Sequence, residues 1–117
     1  MNEPIDLAAK LATFSEHWSP KIVATFNDHD IMVVKVKGEF VWHSHPDTDD
    51  FFLVLSGQLV IRRRDGDVTL GPGQLHVVPR GVEHCPYAEK EASILLIEPK
   101  GTPNTGDHRT AAEKVEI

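Results

Sequence analysis

The sequence predicts an all-β domain preceded by a short helix. Beyond Pro20 the apolar residues recur with a period of two, first over residues 21–26 and 31–37, which is typical of strands with one buried face. About nine such short runs follow one another, each bounded by turn residues such as Ser56 and Gly57, as in sandwiches and barrels. Helical patterns do not alternate with these runs, so we expect an antiparallel sheet.

The N-terminal segment carries the one convincing helical pattern. Apolar residues recur at spacings of three and four over residues 5–18, as on one face of a helix. Pro4 stands where a missing N–H does no harm, and Pro20 prevents continuation. We therefore expect a helix over residues 5–18, within an N-terminal segment 1–20.

The predicted strands make up the rest of a single domain, the barrel over residues 21–98. The first two form a hairpin around the polar residues 27–30, which suit a turn. The remaining predicted strands are residues 40–43, 51–55, 58–63, 67–70, 74–78, 83–86 and 93–98. Residues 99–117 form a C-terminal arm with little apolar content. Two alternatives remain for it: an ordered arm that lies on the barrel or on a neighbouring subunit, and a disordered, frayed end.

Composition excludes several classes of protein. The 117 residues include 12 Lys and Arg against 18 Asp and Glu, a net charge of −6, which disfavours binding to nucleic acid or to an anionic membrane. The sequence has no apolar run of the ~18 residues that a membrane span needs and no signal-peptide pattern. The single cysteine, Cys85, leaves no internal disulfide, so we expect a cytoplasmic protein.

Three histidines are the sharpest chemical feature. His43 and His45 stand two apart at the end of a strand-like run, so their imidazoles lie on one face and can converge on a cation. Asp50 follows directly before an apolar strand, where a carboxylate can enter the barrel. The turn at Pro79 and Gly81 delivers a third imidazole, from His84. Each feature taken alone is also typical of ordinary surface or core residues.

Together these stretches resemble the two signature motifs of the cupin superfamily. The first motif runs Gly, five residues, His-x-His, three or four residues, Glu, six residues, Gly, and its spacing is matched here by His43, His45, Asp50 and Gly57. The second runs Gly, five residues, Pro-x-Gly, two residues, His, three residues, Asn, and is matched up to the histidine by Gly73, Pro79, Gly81 and His84.

Three positions depart from these motifs. Gly38 precedes His43 by four intervening residues rather than five, and Ala88 stands where the second motif has Asn. Asp50 occupies the Glu position and is one methylene shorter. The resemblance covers residues 31–98 and implies a jelly-roll β-barrel with a metal ion inside, near one mouth. Its ligands would be His43, His45 and His84, with Asp50 bound directly, through water or not at all.

Three imidazoles and at most one carboxylate suit one divalent ion of Fe, Mn, Ni, Cu or Zn. We expect Asp50 to act as a ligand or base and Tyr87, placed on the His84 side of its strand, as an acid or hydrogen-bond donor. Val41, Phe52 and Arg80 are the candidate pocket residues.

The first hypothesis is a metalloenzyme that oxidises a small polar molecule with O₂. Metal-dependent isomerisation, epimerisation or lyase chemistry on a sugar or keto acid is an alternative, and so is a binding module without turnover. Trp42, Phe51, Leu53 and Leu55 supply an apolar outer face, from which we expect a homodimer.

Overall fold

The computed structural model describes residues 3–117 and confirms a mostly β chain with a short N-terminal helix. The described part contains helix α1 (Leu7–Leu11) and eight strands, one fewer than predicted. The strands are β1 (Lys21–Phe26), β2 (His29–Glu39), β3 (Asp50–Ser56), β4 (Leu59–Arg63), β5 (Val68–Leu70), β6 (Leu75–Val78), β7 (His84–Pro99) and β8 (Val115–Glu116).

Strand β7 pairs with more strands than any other in the single sheet. Its N-terminal half pairs with β4, its C-terminal half pairs with β3, and β2 runs antiparallel along most of its length. Strands β5 and β6 extend this sheet from β4 and β3, and β1 extends it from β2. Over the described residues the strand path does not close, so a closed jelly-roll barrel is not confirmed.

The helix is much shorter than the apolar spacing predicts. Asp6 caps its start by accepting hydrogen bonds from the backbone N–H groups of Ala8 and Ala9, and the helix ends at Leu11. The chain then runs along β2, where the backbone N–H of Trp18 donates to the carbonyl of Lys35 at 2.8 Å. These sheet contacts outweigh the helical periodicity of residues 12–18.

Two strand predictions also need correction. Residues 83–86 and 93–98 are parts of one strand, β7, because the chain stays extended between them and β2 pairs with it on both sides of an irregularity at residues 89–91. Residues 40–43 do not form a regular strand. They run beside the start of β7 through hydrogen bonds from the backbone N–H of Phe40 to the carbonyl of Pro86 and from that of His43 to the carbonyl of His84.

The core lies on one face of the sheet. Alternation along β3 buries Asp50, Phe52 and Val54 and leaves the residues between them half-buried. Met32, Val34, Val36, Leu59, Ile61, Ile94 and Leu96 complete this apolar cluster. The polar residues at its edge therefore project into an apolar, water-poor interior.

Candidate metal centre

His43 and His84 face each other across a short backbone bridge. The N–H of each residue donates to the carbonyl of the other, at 3.0 and 2.9 Å. Each ring then donates from Nδ1 to the carbonyl two residues earlier, His43 to Val41 at 2.8 Å and His84 to Val82 at 2.9 Å. Because Nδ1 is occupied in both rings, Nε2 is the atom left to bind a cation.

His45 and Asp50 complete the cluster. The backbone N–H of Gly81 donates to the carbonyl of His45 at 2.8 Å, which ties the Pro79–Gly81 turn to this site. Asp50 begins β3 and is 5% exposed. Its Oδ2 lies 2.9 Å from Nε2 of His84 and 3.2 Å from Nε2 of His45.

The ligand atoms of these four residues all lie within 4.8 Å of one another. Atoms bound to one ion at about 2.1 Å are at most about 4.2 Å apart, so small side-chain rotations bring the whole set into range. Nε2 of His45 is buried and has no well-oriented hydrogen bond among the described residues, a need that a metal ion would meet. The donor set and its burial therefore fit a divalent transition metal.

Burial also sets the protonation of these groups. Burial lowers the pKa of His43 to about 4, which leaves the ring neutral and able to bind a cation at pH 7. Burial on its own raises the pKa of Asp50, but the contacts with His45 and His84 outweigh it and the pKa is lowered. The site thus presents a neutral imidazole beside an ionised carboxylate at neutral pH.

A cavity opens directly onto this cluster. Its walls include His43 and Asp50. The remaining walls are mainly aromatic and aliphatic: Trp18, Pro20, Val34, Val36, Phe40, Phe52, Pro86, Ile94 and Leu96. Walls of this character suit a small, largely apolar group.

Phe52 lines this cavity together with Asp50, whereas the predicted pocket residues Val41 and Arg80 and the predicted acid Tyr87 are not among its walls. Val41 is 47% exposed and contributes its carbonyl to His43 instead. The side chain of Arg80 is 66% exposed and pairs with Asp49. Tyr87 lies under the guanidinium of Arg62. It is three residues from His84, and such an odd spacing puts it on the opposite face of β7.

Two polar residues of the cavity were missed by the sequence analysis, Glu98 and Asn104. Glu98 is 3% exposed and has its Oε2 3.3 Å from Nζ of Lys114. Burial, reinforced by the charge of Asp50, raises the pKa of Glu98 to about 7. An even spacing from His84 along one continuous strand indicates this position, but Asn104 lies in the arm, where no periodic pattern marks it.

Comparison with known proteins agrees with this fold. The model of the cupin domain family matches residues 30–98, and the chain therefore belongs to the cupin domain family. Within the described residues, no helix is long and apolar enough to cross a membrane.

Two relatives each match about two thirds or more of the chain. A cupin-2 domain protein from Shewanella frigidimarina superposes with a TM-score of 0.81 at 48% identity, covering 82% of this chain and 94% of its own. The uncharacterized protein YdbB of Bacillus subtilis is 35% identical over 67% of this chain and 70% of its own length.

A 3-hydroxyanthranilate 3,4-dioxygenase from Ruegeria pomeroyi is also 35% identical, over 64% of this chain and 46% of its own length. The chain thus spans about half the length of this dioxygenase.

Proposed function

We propose that this cupin is a metal-dependent dioxygenase that oxidises a small aromatic molecule bearing ring hydroxyl groups. The observation that carries this proposal is the buried cluster of His43, His45, Asp50 and His84, which opens into an aromatic cavity. The similarity to a dioxygenase named for a hydroxylated aromatic acid supports the substrate class.

In this proposal the residues around the cavity have different roles. The three histidines and Asp50 would hold the ion, which when bound supplies open positions for O₂ and for an oxygen atom of the substrate. Phe52 and Phe40 offer flat apolar surfaces to an aromatic ring and exclude water from it. Asp50 carries the negative charge that lowers the net charge of the site around a divalent cation.

The test has two stages, metal content and oxygen consumption. Full-length protein purified without chelators is expected to hold about one equivalent of metal, and His84→Ala is expected to lose it. His29→Ala, a change of an exposed histidine at the start of β2, is the matched control and should keep the metal.

The iron-loaded protein should then consume O₂ with 3-hydroxyanthranilate or hydroquinone. Metal binding without O₂ consumption across a panel of hydroxylated rings would contradict the proposal and favour metal-assisted isomerase or lyase chemistry. The absence of metal in the wild type after reconstitution would contradict the metal site itself.

We further propose that the chain forms a homodimer through the outer face of β3 and β6. Register places Phe51 opposite Val77 and Leu53 opposite Leu75 on this face. Leu75 and Val77 are 55% and 41% exposed, and so much adjoining apolar surface is typical of an interface. Trp42 is not free for this role, because the guanidinium of Arg64 covers its ring at 3.7 Å.

A further inference from the structure

The C-terminal arm, residues 99–117, lies outside the matched family domain, which ends at residue 98. It is nevertheless tied to the domain at several points. The backbone N–H groups of Val115 and Ile117 donate to the carbonyls of Pro20 and Ile22, as β8 pairs with β1. Lys114 reaches Glu98 in the cavity wall. The arm is thus built into the fold beside the candidate site.

Gly106 brings the arm against the metal-binding segment itself. Its φ is +77°, a conformation that side chains rarely adopt. A Cβ at this position would clash with the carbonyl oxygen of Ser44, between His43 and His45. The absence of a side chain therefore lets the arm approach the backbone that presents two of the candidate ligands.

Asn104 is the arm residue that reaches the cavity. Its Oδ1 accepts a hydrogen bond from the backbone N–H of Ala112 at 2.9 Å, which fixes the orientation of the side-chain amide. Among residues 3–117, Nδ2 of Asn104 donates to no protein group. An amide donor with a fixed orientation is thus available in a mostly apolar cavity, where such a group sets ligand specificity.

We propose that the C-terminal arm is a wall of the ligand site and that Nδ2 of Asn104 donates a hydrogen bond to an oxygen of the bound ring. Gly106 and Lys114 are positioning residues that hold the arm in place. This inference rests on the proposed function, because it assigns the amide to the same hydroxylated aromatic ligand. It extends the site beyond the cupin domain to a segment that the two signature motifs do not include.

The test measures binding of 4-nitrocatechol, a coloured ring diol, to the zinc-loaded full-length chain by titration calorimetry and absorbance. Zinc does not change oxidation state, so the probe is not consumed. Asn104→Asp keeps the acceptor oxygen for Ala112 and removes the donor, whereas Asn104→Ala removes both. Arg109→Ala, an exposed change in the same arm, is the matched control.

We expect both Asn104 variants to weaken the Kd about threefold to tenfold, the usual effect of one lost hydrogen bond. Zinc content should not change, and Arg109→Ala should bind like the wild type. Hydrogen exchange at the Ala112 amide should stay slow in Asn104→Asp, which shows that the arm remains docked.

Wild-type affinity in Asn104→Asp would overturn the contact, even if Asn104→Ala binds weakly, because Asn104 would then act only within the arm. Failure of the zinc-loaded wild type to bind the probe would overturn the proposed substrate class and this inference together. The two failures are therefore distinguishable by the behaviour of the wild type.

Discussion

Asp50 is the residue at which the chain departs most from the cupin motif, since it replaces the longer Glu. In the structure its Oδ2 nevertheless lies 2.9 Å from Nε2 of His84, so the shorter side chain still reaches the cluster. Asp50 stands at the start of β3, where its backbone pairs with Val78. The carboxylate is therefore placed to take part in metal binding.

We expect Asp50→Asn to weaken zinc affinity tenfold or more, because the amide loses the negative charge that faces the ion. Asp50→Glu should retain the metal. Competition with a coloured chelator at pH 7 measures both, with Asp47→Asn, an exposed change in the same loop, as the control. Unchanged affinity in Asp50→Asn would remove the carboxylate from the site.

Glu98 gives a second prediction at this scale. Burial and Asp50 raise its pKa to about 7, against the opposing effects of Lys114 and His45. Between pH 4.5 and 7 the folded chain therefore holds a proton that the unfolded chain has lost, so this group makes stability fall as pH rises. Above pH 7 both states are ionised and the contribution is constant.

Glu98→Gln removes this titration. The unfolding free energy of the variant minus that of the wild type should rise between pH 4.5 and 7, on the order of a few kcal/mol at 1.36 kcal/mol per pKa unit, and then level off. Guanidinium unfolding of metal-free protein across this range measures it. A difference that does not vary with pH would contradict the raised pKa.

Sequence patterns could indicate the histidines but not all of the cavity. His43 and His45 share a face because of strand geometry, which is local, and the turn at Pro79 and Gly81 indicates His84; the structure brings the three rings together. Glu98 and Asn104 reach the cavity through the length of β7 and the path of the arm. Both depend on long-range pairing, which no local pattern encodes.

Among the elements, the turn after β3 shows why a motif position must be glycine. Gly57 has a φ of +80°, and a Cβ there would lie 2.9 Å from Ala92 on β7. Gly73 has the same φ but open space around it. The two glycines therefore separate the effect of backbone conformation from that of close packing.

We expect Gly57→Ala to cost about 1–3 kcal/mol more than Gly73→Ala, because the first change adds overpacking to the strain that both share. Chemical denaturation of the two variants gives the comparison. Equal losses would show that the Ala92 contact relaxes without cost.

The elements also differ in how well the sequence predicts them. The strands with a clean alternation, such as β1 and β3, lie where the pattern puts them. The apolar spacing of residues 12–18 predicts too long a helix, because in the structure Phe14 and Trp18 hydrogen bond to Lys35 on β2 instead. A periodic pattern describes a face and does not say which partner covers that face.

At the scale of the whole molecule, the apolar face of β3 and β6 predicts self-association. Leu75→Glu would place an unpaired charge in the interface and should therefore convert the dimer to a monomer. Thr69→Glu, an exposed change on β5, should leave the dimer intact. Sedimentation velocity distinguishes the two. A monomeric wild type, or a dimeric Leu75→Glu, would contradict the interface.

The length of β7 has a consequence for how the chain reaches its native state. Its register joins His29 to Pro99 and Arg63 to His84, so the sheet is assembled from partners far apart in sequence. Chains with such high contact order fold slowly, over milliseconds to seconds, because loop closure precedes most of the stabilising contacts. The four candidate ligands come from three separate stretches of the chain, so an ion would meet its complete coordination shell only after the long strand has found its neighbours.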